Sequence, residues 1–267
     1  MKLHLVTANF FMLFFCIAYI SAQDAQKAHK GFSWELSASG DEVYITGYTG
    51  TDKKIRVPGE IEKKPVTAVS GFANNADIVS IEIPDSVKRI KQQKGSLYTG
   101  AFSNCAALKS VSLPKDLEII EAYSFSNCPL LEDITLEENI TFIGSHSFAD
   151  CFSLKKITLP PKIKKISWAA FIRCKSLETI EISDGLTEIS YMAFSGCTAL
   201  KAITFPKSLL HIGQQAFENC SALSEVVLES ENIDFHDYGN GIFSGCANLP
   251  LNIRQSISEI GYTGSFD

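Results

Sequence analysis

The chain has 267 residues, a formal net charge of −6 and 45% hydrophobic residues, the composition of a folded and mildly acidic protein. It lacks the Lys/Arg-rich run that nucleic-acid-binding proteins carry, so nucleic acid is excluded as a partner. Charges of both signs are interspersed along the chain, as on an ordinary solvated surface.

Residues 1–22 are predicted to be a secretory signal peptide. Lys2 precedes an uncharged stretch that extends to Gln23, with an apolar centre and the small residue Ala22 at the expected cleavage point. An uncleaved membrane anchor is one alternative, because the stretch is close to the minimum length for spanning a bilayer. Lipid attachment at Cys16 is another, although bulky residues precede it. The mature protein is therefore predicted to be exported to the cell surface, the periplasm or the medium, and to meet a membrane only through this segment.

Residues 23–54 are predicted to form an N-terminal segment and a β cap. The segments 34–36 and 42–45 have the β-branched and aromatic composition of strands. Cap-like features continue to about residue 70, but the segment 55–58 already resembles the strand-and-proline element found later in the chain. A cap is expected here because the end of a repeat stack would otherwise expose its core.

The remaining residues, 55–267, are predicted to form a repeat solenoid whose last repeat is degraded. A motif of Ala or Ser, Phe, two variable residues, Cys, two variable residues and Leu recurs every 23 residues. A fixed period of 20–30 residues with regular apolar positions is the signature of a stacked solenoid. The repeated residues are Phe102, Phe125, Phe148, Phe171, Phe194 and Phe217, and Cys105, Cys128, Cys151, Cys174, Cys197 and Cys220, with Phe243 and Cys246 in a further copy after a three-residue insertion.

Each repeat is predicted to contain a short strand followed by turns. Residues 111–113 alternate apolar and polar, which is typical of a half-buried strand, and Pro114 ends it because proline cannot continue a ladder. Gly144 and Gly213 precede two of the phenylalanines and permit a tight turn. The predicted fold class is a mainly β solenoid of parallel short strands and turns, in which the phenylalanines stack as an aromatic spine.

Both ends of the repeat region depart from the regular pattern. An earlier copy has Phe72 and carries Asn75 at the cysteine position, and extra residues after it are predicted to form a polar loop at 91–97. The last apolar residues are interpreted as the degraded repeat and a weak cap: Leu249, Leu251, Ile253, Ile257 and Ile260.

Seven cysteines, Cys105 to Cys246, remain after the predicted cleavage, all at the same repeat position. Disulfides are the usual expectation for an exported protein, but cysteines in one column lie side by side, which is poor disulfide geometry. Zinc is also disfavoured, because its ligands must converge on one point. We therefore predict a structural column of buried free thiols and no metal site.

The repeat consensus is close to Leu-x-x-Ile-x-Leu-Pro-x-x-Ile-x-x-Ile-Gly-x-x-Ala-Phe-x-x-Cys-x-x, and it resembles the bacterial leucine-rich repeat family called BspA-like or treponemal-type. The resemblance covers about 55–250, although Glu137, Ser183 and Glu229 replace the proline in three copies. It implies a leucine-rich repeat stack. Members are mostly exported or surface proteins, and several are implicated in adhesion to host or matrix proteins or in cell contact. The resemblance thus implies a protein ligand, with a host extracellular matrix or cell-surface protein as the expected kind.

A row of aromatic residues and a histidine is the candidate binding surface. Tyr123, His146, Trp168 and Tyr191 fall two or three residues before successive spine phenylalanines, and Tyr98 lies near the same track in the extra loop. Tyr and Trp dominate binding hot spots, so the row is predicted to contact the ligand. The alternative is that these side chains pack over the turns or over the spine. Their exposure decides between the two.

Other polar residues give weaker hypotheses. The column Lys109, Glu132, Lys155, Glu178 and Lys201 alternates in sign, which favours a cross-strand charge ladder over a recognition stripe. The five histidines are scattered, so no catalytic residue, enzymatic activity or cofactor is predicted. Two aspartates and a histidine between residues 234 and 237 could hold a cation, but a solvated loop is favoured because metal sites need convergent ligands.

The sequence therefore leaves two functional hypotheses open. The first is a surface adhesin, and the second is a periplasmic scaffold or assembly protein of the cell envelope. The oligomeric state is also left open, because an incompletely capped sheet edge invites head-to-tail pairing.

Overall fold

The computed structural model describes residues 27–230, 232–236 and 241–267. The predicted signal peptide, 1–22, and part of the candidate cation loop, 237–240, lie outside the described residues. Within the described part of the chain, no helix has both the length and the apolarity that crossing a membrane requires.

The first strands of the described chain form an antiparallel sheet. Strands Lys27–His29, Phe32–Leu36 and Val43–Tyr48 pair in that order, and Val43–Tyr48 then pairs in parallel with Lys64–Val69. The short strand Glu60–Ile61 pairs with the start of Lys64–Val69. Phe32, Trp34, Val43 and Ile45 are buried against the first repeats, so this sheet covers the N-terminal end of the core.

One side of the solenoid, named here the front sheet, is built from the first strand of each turn. Neighbouring strands that are hydrogen-bonded to each other are parallel, and their apolar central residues lie in one register, as Ile157 does with Ile180. Residues on either side of the buried one point to solvent, which explains the alternating sequence pattern. The strands are Lys54–Arg56, Ser80–Glu82, Ser110–Ser112, Asp133–Ile134, Lys156–Thr158, Thr179–Glu181, Ala202–Phe205 and Glu225–Leu228.

A second side, named here the side sheet, continues from Lys64–Val69. Its paired strands are also parallel, and the strands from Arg89–Ile90 to His211–Gly213 each bury an isoleucine, as Ile120, Ile189 and Ile212 show, whereas Phe235 in the last strand is partly buried. The strands are Arg89–Ile90, Ile119–Ile120, Phe142–Ile143, Lys165–Ile166, Glu188–Ile189, His211–Gly213 and Asp234–His236. The predicted fold class, a mainly β solenoid of parallel short strands, is confirmed by these two sheets.

The third side, named here the phenylalanine edge, consists of turns. From Phe72 to Phe217, the backbone N–H of each spine phenylalanine donates to a carbonyl in the next turn at 2.8–2.9 Å. The spine rings are buried, and neighbouring ring centroids lie 5.1–5.5 Å apart. Dispersion between these enclosed rings and the repeated backbone bonds hold the turns together.

Two glycines that precede spine phenylalanines, Gly144 and Gly213, are required for a different reason from the tight turn that the sequence suggests. A Cβ on Gly144 would lie 2.4 Å from the Ala122 nitrogen, and one on Gly213 would lie 2.6 Å from the Tyr191 nitrogen. Neither contact is possible for a real side chain. These glycines are therefore needed for the close approach of the preceding turn, whereas left-handed φ values occur elsewhere in the turns.

The seven repeat cysteines are buried and free. Each Sγ donates to the carbonyl oxygen of the spine phenylalanine one turn earlier, at 3.0–3.2 Å. Asn75 occupies the same position in its turn, where its Oδ1 accepts from the backbone of Asp77 and Ile78. Burial raises the pKa of Cys105 and of Cys246 to about 12, and that of the cysteines between them is also raised by burial, so the thiols stay protonated.

The C-terminal stretch, expected to be a degraded repeat, forms the helix Leu251–Glu259. Ile253, Ile257 and Ile260 recur at helical spacing, which the strand period of two does not fit. The helix contacts the last front-sheet strand, and beyond it Tyr262 is buried with its ring centroid 5.3 Å from that of Phe243. The helix and this aromatic contact cover the C-terminal end of the spine.

Candidate functional site

Five side chains form a continuous row along the corner between the side sheet and the phenylalanine edge. We call this row the aromatic ribbon: Tyr98, Tyr123, His146, Trp168 and Tyr191. Successive ring centroids lie 5.9, 4.8, 4.9 and 6.2 Å apart. The structure thus brings all the sequence-predicted binding residues together into one row of ring contacts.

The backbone places the ribbon by two slightly different routes. Tyr123 and His146 lie two residues before a spine phenylalanine, in left-handed conformation with φ of 60° and 57°. Trp168 and Tyr191 lie three residues before theirs, and the left-handed residue is the next one, Ala169 or Met192. Positive φ is uncommon for bulky residues. The backbone bond from His146 N to Trp168 O, at 3.0 Å, joins the two halves of the row.

The ribbon faces solvent, most strongly at its two ends. Tyr98 is 73% exposed, Trp168 is 48% exposed and Tyr191 is 37% exposed, whereas Tyr123 and His146 are half-buried between them. The ring contacts above join ribbon members to one another rather than to the spine. The row therefore presents a contiguous aromatic surface, with protruding ends and a lower centre.

The extra loop holds one end of the ribbon in place. The Gln92 side-chain amide donates to the carbonyls of Ser96 and Leu97 at 3.1 and 2.8 Å, and the Gln92 backbone N–H donates to Glu121 at 2.8 Å. Within this loop, Leu97 is 77% exposed and precedes Tyr98 in the chain. Sequence reasoning treated this loop as polar and missed Leu97, although an apolar residue next to a tyrosine in a polar stretch was a readable signal.

The centre of the ribbon carries no charge at neutral pH. Burial, and secondly the nearby Arg173 guanidinium, lower the pKa of His146, and Asp150 opposes this only in part. Burial, and secondly the neighbouring Tyr98, raise the pKa of Tyr123. A neutral imidazole stacks on the Tyr123 phenol with 14° between the ring planes. The Nδ1 atom of His146 has no hydrogen-bond partner among the described residues.

A polar column lies two residues after each spine phenylalanine from Phe72 to Phe171. The Asn104 amide donates to Asn74 at 2.9 Å, and the Asn127 amide donates to Asn104 at 2.8 Å. In the next two turns, Arg173 donates two hydrogen bonds of 2.6 Å to the Asp150 carboxylate. Sequence reasoning missed this column, which the 23-residue spacing of Asn104 and Asn127 could have revealed.

The remaining predicted features are weaker candidates. In the alternating charge column, Lys201 and Glu178 form an exposed ion pair at 2.6 Å, of the kind that contributes little to stability. Among the described residues, no group of three or more His, Cys, Asp or Glu side chains could hold a metal ion. Asp237 of the candidate cation loop lies outside the described residues.

The front sheet carries a shallow depression of about 750 Å³ near its N-terminal end. Its charged residues include Arg56 and Glu82, which form an ion pair at 2.8 Å. Ser80, Ser110 and Ser112 supply hydroxyl groups, and its lining contains neither a histidine nor a cysteine. The depression can offer hydrogen bonds to a ligand.

Comparisons with known proteins agree with this architecture. The family described as "BspA type Leucine rich repeat region" matches in six copies over residues 67–200 and 169–266. A solved leucine-rich repeat protein of T. pallidum is 27% identical, with a TM-score of 0.69, over 90% of this chain and 98% of that chain. A leucine-rich repeat protein from Bacteroides ovatus is 19% identical, with a TM-score of 0.50, over 84% of this chain and 81% of that one, and shows the shared fold alone. The comparison with curated proteins found no match. Because the family match spans most of the sequence, the chain belongs to the BspA-type leucine-rich repeat family.

Proposed function

We propose that this protein is exported and mediates adhesion to a host, matrix or cell-surface protein through the aromatic ribbon. Leucine-rich repeat proteins typically mediate protein–protein interaction and are generally non-enzymatic scaffolds, and the BspA type is typically a surface or exported bacterial protein. The observation that carries the proposal is the exposed and unbroken row of rings from Tyr98 to Tyr191.

The chemistry of the ribbon suits protein recognition. Tyr and Trp have large contact areas and few rotatable bonds, so ordering them on binding costs little entropy. Here the rings already contact one another, and Tyr98 is supported by the loop that Gln92 closes. Such pre-organised aromatic anchors are the residues that dominate interface hot spots. Their neutrality at physiological pH means that no buried charge must be desolvated when a partner covers the centre of the row.

The experiment is binding of the chain from Gln23 onward to a panel of extracellular matrix and cell-envelope proteins. The test variant combines Tyr98→Ala, Trp168→Ala and Tyr191→Ala. A matched control combines Phe152→Ala, Leu210→Ala and Val227→Ala, which removes three exposed apolar side chains outside the ribbon. We expect saturable binding to a matrix or host surface protein, weakened at least about 30-fold in the test variant and little changed in the control, since hot spots contribute about 2 kcal/mol or more.

Protease treatment of intact cells then separates the two locations left open by the sequence. An adhesin is removed by the protease, whereas a periplasmic protein is spared. Binding only to envelope proteins, together with protection from protease, would replace the adhesin with an envelope scaffold. Equal loss of binding in the test and control variants would exclude the ribbon as the contact surface.

A further inference from the structure

Three consecutive turns of the solenoid alternate in charge. Turn 154–176 carries seven Lys or Arg residues and no Asp or Glu, and we call it the basic turn. The preceding turn, 131–153, carries five acidic and no basic residues, and the following turn, 177–199, carries four acidic and no basic residues. We call these the first and second acidic turns. The composition alone makes the two borders of the basic turn look equivalent.

The two borders differ in backbone pairing. At the border with the first acidic turn, the front sheet stops at Asp133–Ile134 and restarts at Lys156–Thr158. The side sheet stops at the same border, after Phe142–Ile143, and restarts at Lys165–Ile166. Every other pair of consecutive front-sheet strands is hydrogen-bonded. On two of the three sides of the solenoid, the ladder of backbone hydrogen bonds is therefore interrupted at this border.

The phenylalanine edge remains continuous across that border. Phe148 N donates to Ala170 O at 2.8 Å, and the rings of Phe148 and Phe171 are parallel within 2° at a centroid distance of 5.3 Å. The Asp150–Arg173 pair, with two bonds of 2.6 Å, lies on the same edge. Away from this edge, two side-chain bonds span the border, Ser167 Oγ to Ile143 O at 2.5 Å and Lys162 Nζ to Asn139 Oδ1 at 2.7 Å.

Lysines of the basic turn form ion pairs in one direction. Lys156 pairs with Glu181 at 2.6 Å on the front sheet, and Lys165 pairs with Glu188 at 2.8 Å on the side sheet. Both glutamates belong to the second acidic turn. On its sheet sides, the basic turn thus has strand pairing and ion pairs with the turn that follows it, whereas two side-chain hydrogen bonds join the described residues of its sheet sides to the turn that precedes it.

A cleft of about 610 Å³ lies on the front sheet at the interrupted border. One wall carries Glu132, Glu137 and Glu138, and the other carries Lys155 and Lys156. In the part of the chain that the structure describes, no ion pair joins the two walls. Opposite charges still attract across such a gap, over a distance that the ionic strength sets.

We propose that this border is a hinge whose axis is the phenylalanine edge. The chain up to residue 153 and the chain from residue 154 pivot about the continuous Phe148–Phe171 contact. Closing the hinge brings the acidic wall toward the basic wall and restores the missing ladder on both sheets. The structure holds the open form. The aromatic ribbon stays near the axis, where the backbone bond from His146 to Trp168 is intact, so the motion changes the curvature of the solenoid more than the ribbon itself.

The test is amide hydrogen exchange of the chain from Gln23 onward, measured at about 0.1 M and about 1 M NaCl, which shortens the Debye length from roughly 10 to 3 Å. We expect strands Asp133–Ile134 and Lys156–Thr158 to exchange at least about tenfold faster than the paired strands Thr179–Glu181 and Ala202–Phe205. The difference should grow at high salt, because screening the two walls favours the open form. Amides of the phenylalanine edge at the same border should stay protected at both salt concentrations.

Matched variants test whether the glutamates of the acidic wall cause the salt dependence. Glu132→Gln, Glu137→Gln and Glu138→Gln together should abolish the salt dependence at the border. Glu178→Gln, a single change in the second acidic turn, should leave it in place. Equal protection of border and control strands would overturn the hinge. If amide exchange at the border is faster but does not depend on the salt concentration, the charged walls do not govern the hinge. The same conclusion follows if the triple variant does not alter the exchange.

Discussion

The molecule contains two stacks of rings that share one repeat but differ in burial. In the spine, from Phe102 to Phe243, centroid distances are 5.2–5.5 Å and neighbouring planes are parallel within 2–16°. In the aromatic ribbon, centroid distances are 4.8–6.2 Å and the interplanar angles range from 14° to 87°. Enclosure forces each spine ring into the same orientation, because any other would leave a void or a clash.

This difference in burial distinguishes the rings that stabilise the fold from the rings that are available to recognise a ligand. A ring with atoms on every side has no alternative orientation, so the spine repeats one residue type at one position. A ring with solvent on one side is free of that demand, so the ribbon uses Tyr, His and Trp and shifts by one residue along the turn. We therefore expect changes in the spine to act on folding, and changes in the ribbon to act on binding.

The largest expected effect comes from the spine. Phe194→Ala should lower the free energy of unfolding by about 3–5 kcal/mol, because it empties a fully buried ring position between two stacked neighbours. Urea denaturation followed by circular dichroism measures it. Tyr191→Ala, in the same turn but on the ribbon, is the control and should cost much less. A loss below about 1 kcal/mol for Phe194→Ala would contradict a spine that holds the turns together.

The next effect comes from the cysteine column beside the spine. Cys174→Ser should cost about 1–3 kcal/mol, because a more polar hydroxyl replaces a thiol in a fully buried apolar position. The serine keeps a donor toward Phe148 O, which Cys174 Sγ reaches at 3.0 Å, so any cost reports polarity and packing rather than a missing donor. Denaturation midpoints of the two proteins give the difference. A more stable serine variant would show that the column tolerates polar groups.

Much of the spine was predictable from sequence, and much less of the ribbon. The spine follows from a strict 23-residue spacing of Phe and Cys, since one buried position per turn must recur in register. The ribbon residues were identifiable as a row, but their contact was not. Tyr123 and His146 lie two residues before a spine phenylalanine, whereas Trp168 and Tyr191 lie three residues before one. The sequence alone does not show that side chains at these two positions form one row. The left-handed residue in each turn explains in the structure how they do so.

Two other features, the interrupted border and the C-terminal helix, were not predicted from the sequence for related reasons. Strand residues at the interrupted border fit the repeat as well as any others do, so the pattern predicts paired strands where the sheets stop. The C-terminal isoleucines fit a degraded repeat by composition, and only their spacing of four and three residues favours the helix Leu251–Glu259. Periodicity predicts which residues are buried, but it does not predict where neighbouring turns separate or where the repeat ends.

A smaller effect on stability is expected from the ribbon. Trp168→Ala removes ring contacts with His146 at 4.9 Å and with Tyr191 at 6.2 Å. Because Trp168 is about half exposed, we expect a loss of about 0.5–1.5 kcal/mol, the range of aromatic pair contacts. Denaturation of the variant beside Phe194→Ala measures the contrast directly. A loss as large as that of the spine variant would mean that the ribbon is a second core and not a surface.

The smallest expected effect is a pH dependence of folding stability that comes from His146, at the centre of the ribbon. The pKa of His146 is lowered in the folded state by burial and by Arg173, whereas the unfolded chain has the ordinary value near 6.5. The unfolded state therefore binds a proton more readily, so the stabilisation present above pH 6.5 is lost as the pH falls through 6.5 toward the folded-state pKa. Denaturation midpoints between about pH 7.5 and about pH 5 should fall for the native sequence more steeply than for His146→Gln, which cannot titrate. Parallel curves for the two proteins would show that a charged imidazole is tolerated between Tyr123 and Trp168, and that the neutrality of the ribbon centre is not needed for its stacking.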